Sequence, residues 1–317
     1  MLVMSDEPLL QLGIPKKGSP ARRPPWMRVK VRETEGYREV SRLVKELNLH
    51  TVCEEARCPN IWECWGEHRT ATFMIMGDIC TRACRYCDVT SGKPKALDPQ
   101  EPRNIARAVK IMGLRHAVIT SVDRDDLEDF GAGHWAATIK AIAEASPECA
   151  VEVLTPDFGG DREQLERVLD ARPQIFSHNT ETVARLHPRM RSKGDYRRTL
   201  EVLRRAHQYR LAPGVSMSTK TGIILGLGET IDEVLVAMDD LREVQCDVLT
   251  MGQYLNPTHR HAAIERFYEP EEFQALKEEG LVRGFKHVES GPLVRSSYHA
   301  HEHVPKEDEG SDFLSVK

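Results

Sequence analysis

The sequence predicts an α/β fold of six β/α units in series, two short of a closed eight-unit barrel. Three observations predict it. Short apolar runs with the length of buried strands recur at 73–76, 117–122, 151–154, 175–178, 222–227 and 248–254. Segments with helical spacing lie between them, at 103–112, 135–145, 162–169, 196–208 and 232–244. Three cysteines, Cys80, Cys84 and Cys87, follow the first strand at its C-terminal end, where barrels of this kind carry their chemistry. Such alternation implies a parallel sheet with right-handed crossovers.

Composition narrows the function classes. With 317 residues, 40% hydrophobic and 29% charged, the chain has ample material for a large core. A net charge of −5 carries no overall nucleic-acid footprint. No apolar run is long enough to cross a bilayer, and the basic-then-apolar layout of a secretory signal is missing, so the expectation is a cytoplasmic protein with no membrane partner. Six of the eight cysteines fall within thirty-five residues of a large chain, which favours metal ligation over disulfides.

Residues 1 to about 20 read as a poorly ordered arm. In Arg22-Arg23-Pro24-Pro25-Trp26-Met27 two prolines bar a helix, and Trp26 is expected to anchor an extended segment. Val40, Leu43, Val44 and Leu47 have the spacing of a helix over 37–47. A first cysteine set then appears, Cys53, Cys58 and Cys64, spaced C-x4-C-x5-C. Three thiolates on one short segment suit a metal, and zinc or simple burial of the thiols remain open for this set taken alone.

The second set, Cys80-x3-Cys84-x2-Cys87, offers three soft ligands on one loop. That suits an iron–sulfur cluster with one iron left open to a small molecule. A zinc site completed by a histidine, or an electron-transfer ferredoxin, also remains open at this point, although bacterial ferredoxin runs are spaced C-x2-C-x2-C-x3-C. Two three-cysteine sets in one chain suggest two clusters with different tasks.

The run C-T-R-A-C-R-Y-C, with Tyr86 before the last cysteine, resembles the signature of the radical S-adenosylmethionine (SAM) enzymes. Together with C-E-E-A-R-C-P-N-I-W-E-C-W upstream it is similar to the lipoyl synthase family. Further blocks agree: I-T-S-V-D-R-D-D-L from Ile119, P-D-F from Pro156, H-N-T-E from His178, T-K-T-G-I-I-L-G-L-G-E-T from Thr219, G-Q-Y-L from Gly252 and G-P-L-V-R-S-S-Y-H-A from Gly291. The resemblance spans nearly everything from Pro24 to Ala300.

The resemblance implies a partial (β/α)6 TIM-like barrel over 71–284, an N-terminal extension over 1–70 carrying an auxiliary cluster motif, and a C-terminal segment over 285–317. It implies two 4Fe-4S clusters and SAM as cofactors. Cys80, Cys84 and Cys87 would hold the cluster that cleaves SAM. Cys53, Cys58, Cys64 and Ser297 would hold the auxiliary cluster, which gives up sulfide to positions C6 and C8 of a protein-bound octanoyl chain. A hard serine oxygen among soft thiolates would be the easiest ligand to lose. Without the resemblance, Ser296-Ser297 is two hydroxyls in a turn.

Residues at strand ends are the candidates for holding SAM. Ser121 and Asp123, with Arg124 and Asp125, follow the second strand; they suit a zwitterion's methionine end, or simply a turn and helix N-cap. Asn179 and Glu181, beside His178, follow the fourth strand, and Gly226 in Gly226-Leu227-Gly228-Glu229 ends the fifth, where the resemblance lays its backbone against adenine. Cys149 and Cys246 read as buried thiols. His259 and His261 receive no catalytic role, because Arg260 separates them where the family has adjacent histidines. Implied partners are octanoylated lipoyl-carrier domains (2-oxoacid dehydrogenase E2 subunits and the glycine cleavage H protein), a flavodoxin or ferredoxin as electron donor, and iron–sulfur carrier proteins. The alternatives in other classes are a methylthiotransferase-like enzyme and a non-catalytic zinc or electron-transfer protein.

Overall fold

Apolar runs buried on both faces build the central sheet. The computed structural model describes residues 23–28, 33–47, 49–55, 58–66 and 70–297. The N-terminal arm, Tyr298 and the charged tail lie outside them. In chain order the elements are α1 (Glu35–Glu46), β1 (His50–Thr51), α2 (Val52–Glu55), α3 (Ile61–Gly66), β2 (Thr72–Ile75), β3 (Ile79–Cys80) and β4 (Thr90–Ser91). There follow α4 (Glu101–Met112), β5 (His116–Ser121), α5 (Ala132–Ala145), β6 (Ala150–Leu154), α6 (Arg162–Leu169), β7 (Ile175–Ser177), α7 (His187–Met190) and α8 (Tyr196–Arg210). The chain continues with β8 (Ser218–Leu225), α9 (Ile231–Glu243), β9 (Val248–Gln253), α10 (Pro270–Val282) and β10 (His287–Gly291).

The main sheet has the order β1-β2-β5-β6-β7-β8-β9-β10. All neighbours are parallel except β1 and β2. The six expected strands are β2 and β5 to β9. Among the described residues β10 adds a seventh parallel strand, in register with β9 from His287 opposite Val248 to Gly291 opposite Gly252. The order does not close on itself, so the sheet is an open, partial barrel.

Local chemistry explains the helix boundaries. Asp161 accepts from the N–H groups of Glu163 and Gln164 and starts α6. Thr230 and Glu233 form a reciprocal capping box that starts α9. Gly113, at φ 61°, ends α4 in the left-handed conformation that a side chain resists.

Inside the barrel, Lys220 and Glu152 pair at 2.8 Å, both essentially without solvent exposure, and His116 Nε2 lies 3.3 Å from the other Glu152 oxygen. This group ties β5, β6 and β8 together across the interior. Cys149 and Cys246 are buried. The expectation for Trp26 is corrected: it is 37% exposed and Met27 is 4% exposed. Pro25 opens a 3-10 turn, as proline at a first helical position can, and that turn points Met27 inward. Among the described residues no helix is long and apolar enough to cross a membrane.

Candidate functional site

The loop after β2 is shaped by its backbone. Met76 and Gly77 both have positive φ, 70° and 90°, and turn the chain off the strand end. β3 and β4 then pair and close a loop that contains Cys80, Cys84 and Cys87. Arg82 pins this loop from below. Its guanidinium is buried and meets Asp123 at 3.3 Å, Asp125 at 2.7 Å and Asp157 at 2.7 Å. Thr81 adds hydrogen bonds from its N–H and its hydroxyl to the Asp123 carbonyl, at 3.0 and 2.9 Å.

Cys80 Sγ accepts from the backbone N–H groups of Arg82 and Asp123, at 3.4 and 3.3 Å. Burial nevertheless pushes its thiol up to about 11, with the Asp123 charge adding to the rise. Cys87 is pushed up to about 12 by burial and then by Cys84 and Cys80, and Cys84 is raised, mainly by burial. Cys84 adds to the rise at both Cys80 and Cys87. Without a cation they keep their protons; a bound metal would displace them.

Polar groups from several strand ends face the same space. Ser121 and Asp123 come from the end of β5, and Asn179 and Glu181 from the segment after β7. Ser121 Oγ and Asn179 Oδ1 are buried with no hydrogen-bond partner, and Asp123 Oδ1 is buried with only the Arg82 ion pair at 3.3 Å. Burial raises the carboxyls of Asp123 and Glu181. Glu181 sits at φ 69°, a left-handed conformation unusual for glutamate, and is held there by hydrogen bonds to Gly222 and Ile224 of β8. Gly222 leaves room: a Cβ there would lie 2.9 Å from Asn179 Oδ1 and from Thr250 Oγ1.

Arg191 is the residue that sequence reasoning missed. It lines the cavity although nearly all of it is buried. Its Nη1 donates to the Asn179 carbonyl at 2.5 Å and to Thr199 Oγ1 at 3.3 Å. His178 steadies it from behind. His178 Nδ1 faces the Thr155 carbonyl at 2.8 Å, which can only accept, so Nδ1 carries the proton and Nε2 accepts from Arg191 Nη2 at 3.5 Å. Burial and the Arg191 charge lower the His178 ring to about 3, so it is neutral in the physiological range.

Of the other polar candidates, Asp125 is engaged with Thr81, Arg82 and Lys193, and Arg124 forms a two-bond pair with Asp126, both bonds at 2.8 Å. Their place as helix caps is corrected too: α5 begins after Gly131. His259 is exposed, whereas His261 Nε2 lies 3.0 Å from the Cys87 carbonyl and braces the loop.

The upstream cysteines sit on two short helical turns. Cys53 lies in α2 and Cys64 in α3, with Cys58 between them, its N–H on the Cys53 carbonyl at 3.0 Å. Tyr37 of α1 stacks on Trp62 of α3 with ring centroids 4.4 Å apart. Burial pushes Cys53 and Cys64 up to about 12, with Cys58 adding to the rise in both; Cys58 is itself raised by burial while Arg295 draws it down.

The C-terminal segment closes over this triplet. Asn60 Nδ2 donates to the Leu293 carbonyl at 2.8 Å, and Thr72 Oγ1 donates to Ser297 Oγ at 3.0 Å. Gly252 permits the approach, since a Cβ there would stand 2.0 Å from the Val294 oxygen. One cavity of about 1040 Å³ results, lined by Cys53, Cys58, Cys80, Cys84, Cys87, Tyr86 and Ser297. Cys64 and Gly226 are not among its lining residues. Gly226, at φ 103°, is a turn glycine packed against Gln253 Nε2 and the Arg266 carbonyl. A single zinc ion gathers its ligands around one point. Among the described residues no three His, Cys, Asp or Glu side chains are so gathered.

Comparison with known proteins agrees with this geometry. The family model for the radical SAM superfamily matches residues 74–241. A second, for the N-terminal domain of lipoyl synthase, matches residues 11–58. The lipoyl synthase of Rubrobacter xylanophilus is 58% identical over 280 residues, covering 88% of this chain and 86% of that protein. The chain belongs to the lipoyl synthase family. The Bacillus subtilis lipoyl synthase, 50% identical, covers 91% of this chain and 96% of its own. Among solved structures, methylornithine synthase shares the fold with a TM-score of 0.51 at 12% identity, covering 78% of this chain and 77% of that one. As a member of the lipoyl synthase family the chain is a radical SAM enzyme, a class that uses a 4Fe-4S cluster and SAM.

Proposed function

We propose that this chain inserts two sulfur atoms, at C6 and C8, into an octanoyl-lysine carried by a lipoyl domain. The observation that carries the reading is that cysteines of both sets, Cys53 and Cys58 of one and Cys80, Cys84 and Cys87 of the other, line one cavity. Its volume, about 1040 Å³, is at the upper end for ligand pockets and leaves room for more than one bound group. In this reading Cys80, Cys84 and Cys87 hold the cluster that cleaves SAM, and Cys53, Cys58, Cys64 and Ser297 hold an auxiliary 4Fe-4S cluster. The first group supplies the electron that splits the sulfonium of SAM, and the second supplies sulfide.

The protein's own groups orient the reactants. The unpartnered oxygens of Ser121 and Asn179, with the Asp123 carboxylate beside them, suit an ammonium donor, and the fixed guanidinium of Arg191 suits a carboxylate; together they match the zwitterionic end of SAM. Tyr86 and Glu181 line the same cavity, and Gly226 turns the chain at the end of β8. A radical is required because positioned acids and bases do not activate a saturated C–H bond.

Residues 1–70 serve as the segment with the auxiliary ligands, 71–284 as the radical-generating barrel, and 285–317 as the segment that brings Ser297. The partners are octanoylated carrier domains, with a flavodoxin or ferredoxin as electron source and iron–sulfur carrier proteins for cluster supply. The test is anaerobic turnover of an octanoylated carrier peptide with SAM and a reductant. A dithiolated peptide with two 5′-deoxyadenosines per product supports the reading; cleavage of SAM with no sulfur gain refutes it.

A further inference from the structure

Thr72 stands between the two segments that carry the auxiliary ligands. It opens β2, is 7% exposed and lines the cavity. Its hydroxyl donates to Ser297 Oγ at 3.0 Å, across 225 residues of sequence. Cys53 and Ser297 line the same cavity as Thr72. The strand fixes it: Thr72 pairs with Val118 of β5, and the next residue, Phe73, pairs with Thr51 of β1 and Ile119 of β5.

We infer that Thr72 is a positioning residue that holds the Ser297 oxygen at the head of β2 and so sets how firmly this serine is kept as the fourth ligand. The inference rests on the ligand set proposed above. A serine in an irregular segment turns freely about its side-chain bond, and a hydrogen bond to a rigid strand removes that freedom. A hard oxygen among thiolates gains little from the metal itself, so its placement weighs heavily. Outer partners of metal ligands commonly change metal affinity 10- to 100-fold, roughly the scale expected here. The same hydroxyl gives the oxygen a partner once it leaves the iron, so release strands no buried polar atom.

The test uses full-length chain reconstituted anaerobically with iron and sulfide. Iron release to a chelator is timed, and samples are oxidised by one electron with ferricyanide so that the three-iron EPR signal that marks loss of one iron can be followed. Thr72→Val keeps the shape and removes the hydroxyl; Thr72→Ser keeps the hydroxyl. The expected result is roughly 10-fold faster release and a growing three-iron signal in Thr72→Val, with Thr72→Ser close to native. In a cycle with Ser297→Ala, the double variant should release iron no faster than Ser297→Ala alone. Native release from Thr72→Val, with fast release from Ser297→Ala, overturns the role of Thr72 alone. Native release from Ser297→Ala removes the ligand set itself, and Thr72→Ser as fast as Thr72→Val shows that the hydroxyl is irrelevant. The other cluster's signal in each sample is the reference for correct folding.

Discussion

Asn60 and Leu293 are 233 residues apart in sequence and share a hydrogen bond of 2.8 Å from side-chain Nδ2 to backbone carbonyl. Asn60 lies between Cys58 and Cys64, and Leu293 lies four residues before Ser297. This bond joins the two parts of the proposed auxiliary site. Asn60→Ala should cost about 1 kcal/mol of stability, the cost of leaving a half-buried carbonyl unpaired. Iron per chain should fall from roughly eight toward roughly four after reconstitution. Unchanged iron content would show that the C-terminal segment is held elsewhere.

Gly252 offers a purely steric test of the same arrangement. A Cβ would meet the Val294 oxygen at 2.0 Å, closer than any real contact, so Gly252→Ala must push the segment off β9. The expected result is a folded chain that binds less iron and exposes 292–297 to proteolysis. Native iron content and native resistance would contradict it.

Arg82 faces three carboxylates, and removing it leaves the buried Asp157 beside the half-buried Asp123 and Asp125 without the cation they share. Arg82→Leu should destabilise the apo-protein by about 3–5 kcal/mol, lowering its melting temperature by about 10 °C. Arg82→Lys should recover less than half, because one ammonium cannot reproduce the planar fork. Thermal unfolding followed by circular dichroism decides it; a native melting temperature for Arg82→Lys would refute the geometric argument.

Glu152 sets an acid limit. Burial alone would raise its carboxyl, but Lys220 and His116 outweigh that and hold it down at about 2, against an ordinary 4.5. Because the folded value is the lower one, this stabilisation is complete above about pH 4.5 and is lost as pH falls toward 2. Glu152→Gln should flatten stability over that window and cost about 3 kcal/mol at neutral pH by leaving Lys220 unpaired. The paired change Glu152→Leu with Lys220→Met should recover most of the loss. Denaturant unfolding across pH measures both.

The six expected strands were legible because a strand buried on both faces is a short unbroken apolar run, as β2 is from Thr72 to Ile75. β10 was not, because His287, Glu289 and Ser290 give no apolar pattern and only Val288 is buried. α10 carried a readable signal that went unused: Pro270 in the first turn, a capping box at Glu269, and Phe273, Leu276 and Gly280 at helical spacing. The cysteine sets were legible from spacing. Arg82 and Arg191 were not, since the burial of a charge depends on partners brought from distant strand ends. Ser297 was reached only through resemblance, and Thr72 reads in the sequence as one more strand residue.

The most direct test of the account follows the sulfur. The chain is reconstituted with 34S-sulfide, freed of excess, and given SAM, reductant and an octanoylated carrier peptide for a single turnover in natural-abundance medium. The account predicts a lipoylated peptide carrying two 34S atoms, and no such product when Cys58 is replaced by alanine. A product that contains only natural-abundance sulfur, or labelled product from Cys58→Ala, would contradict it.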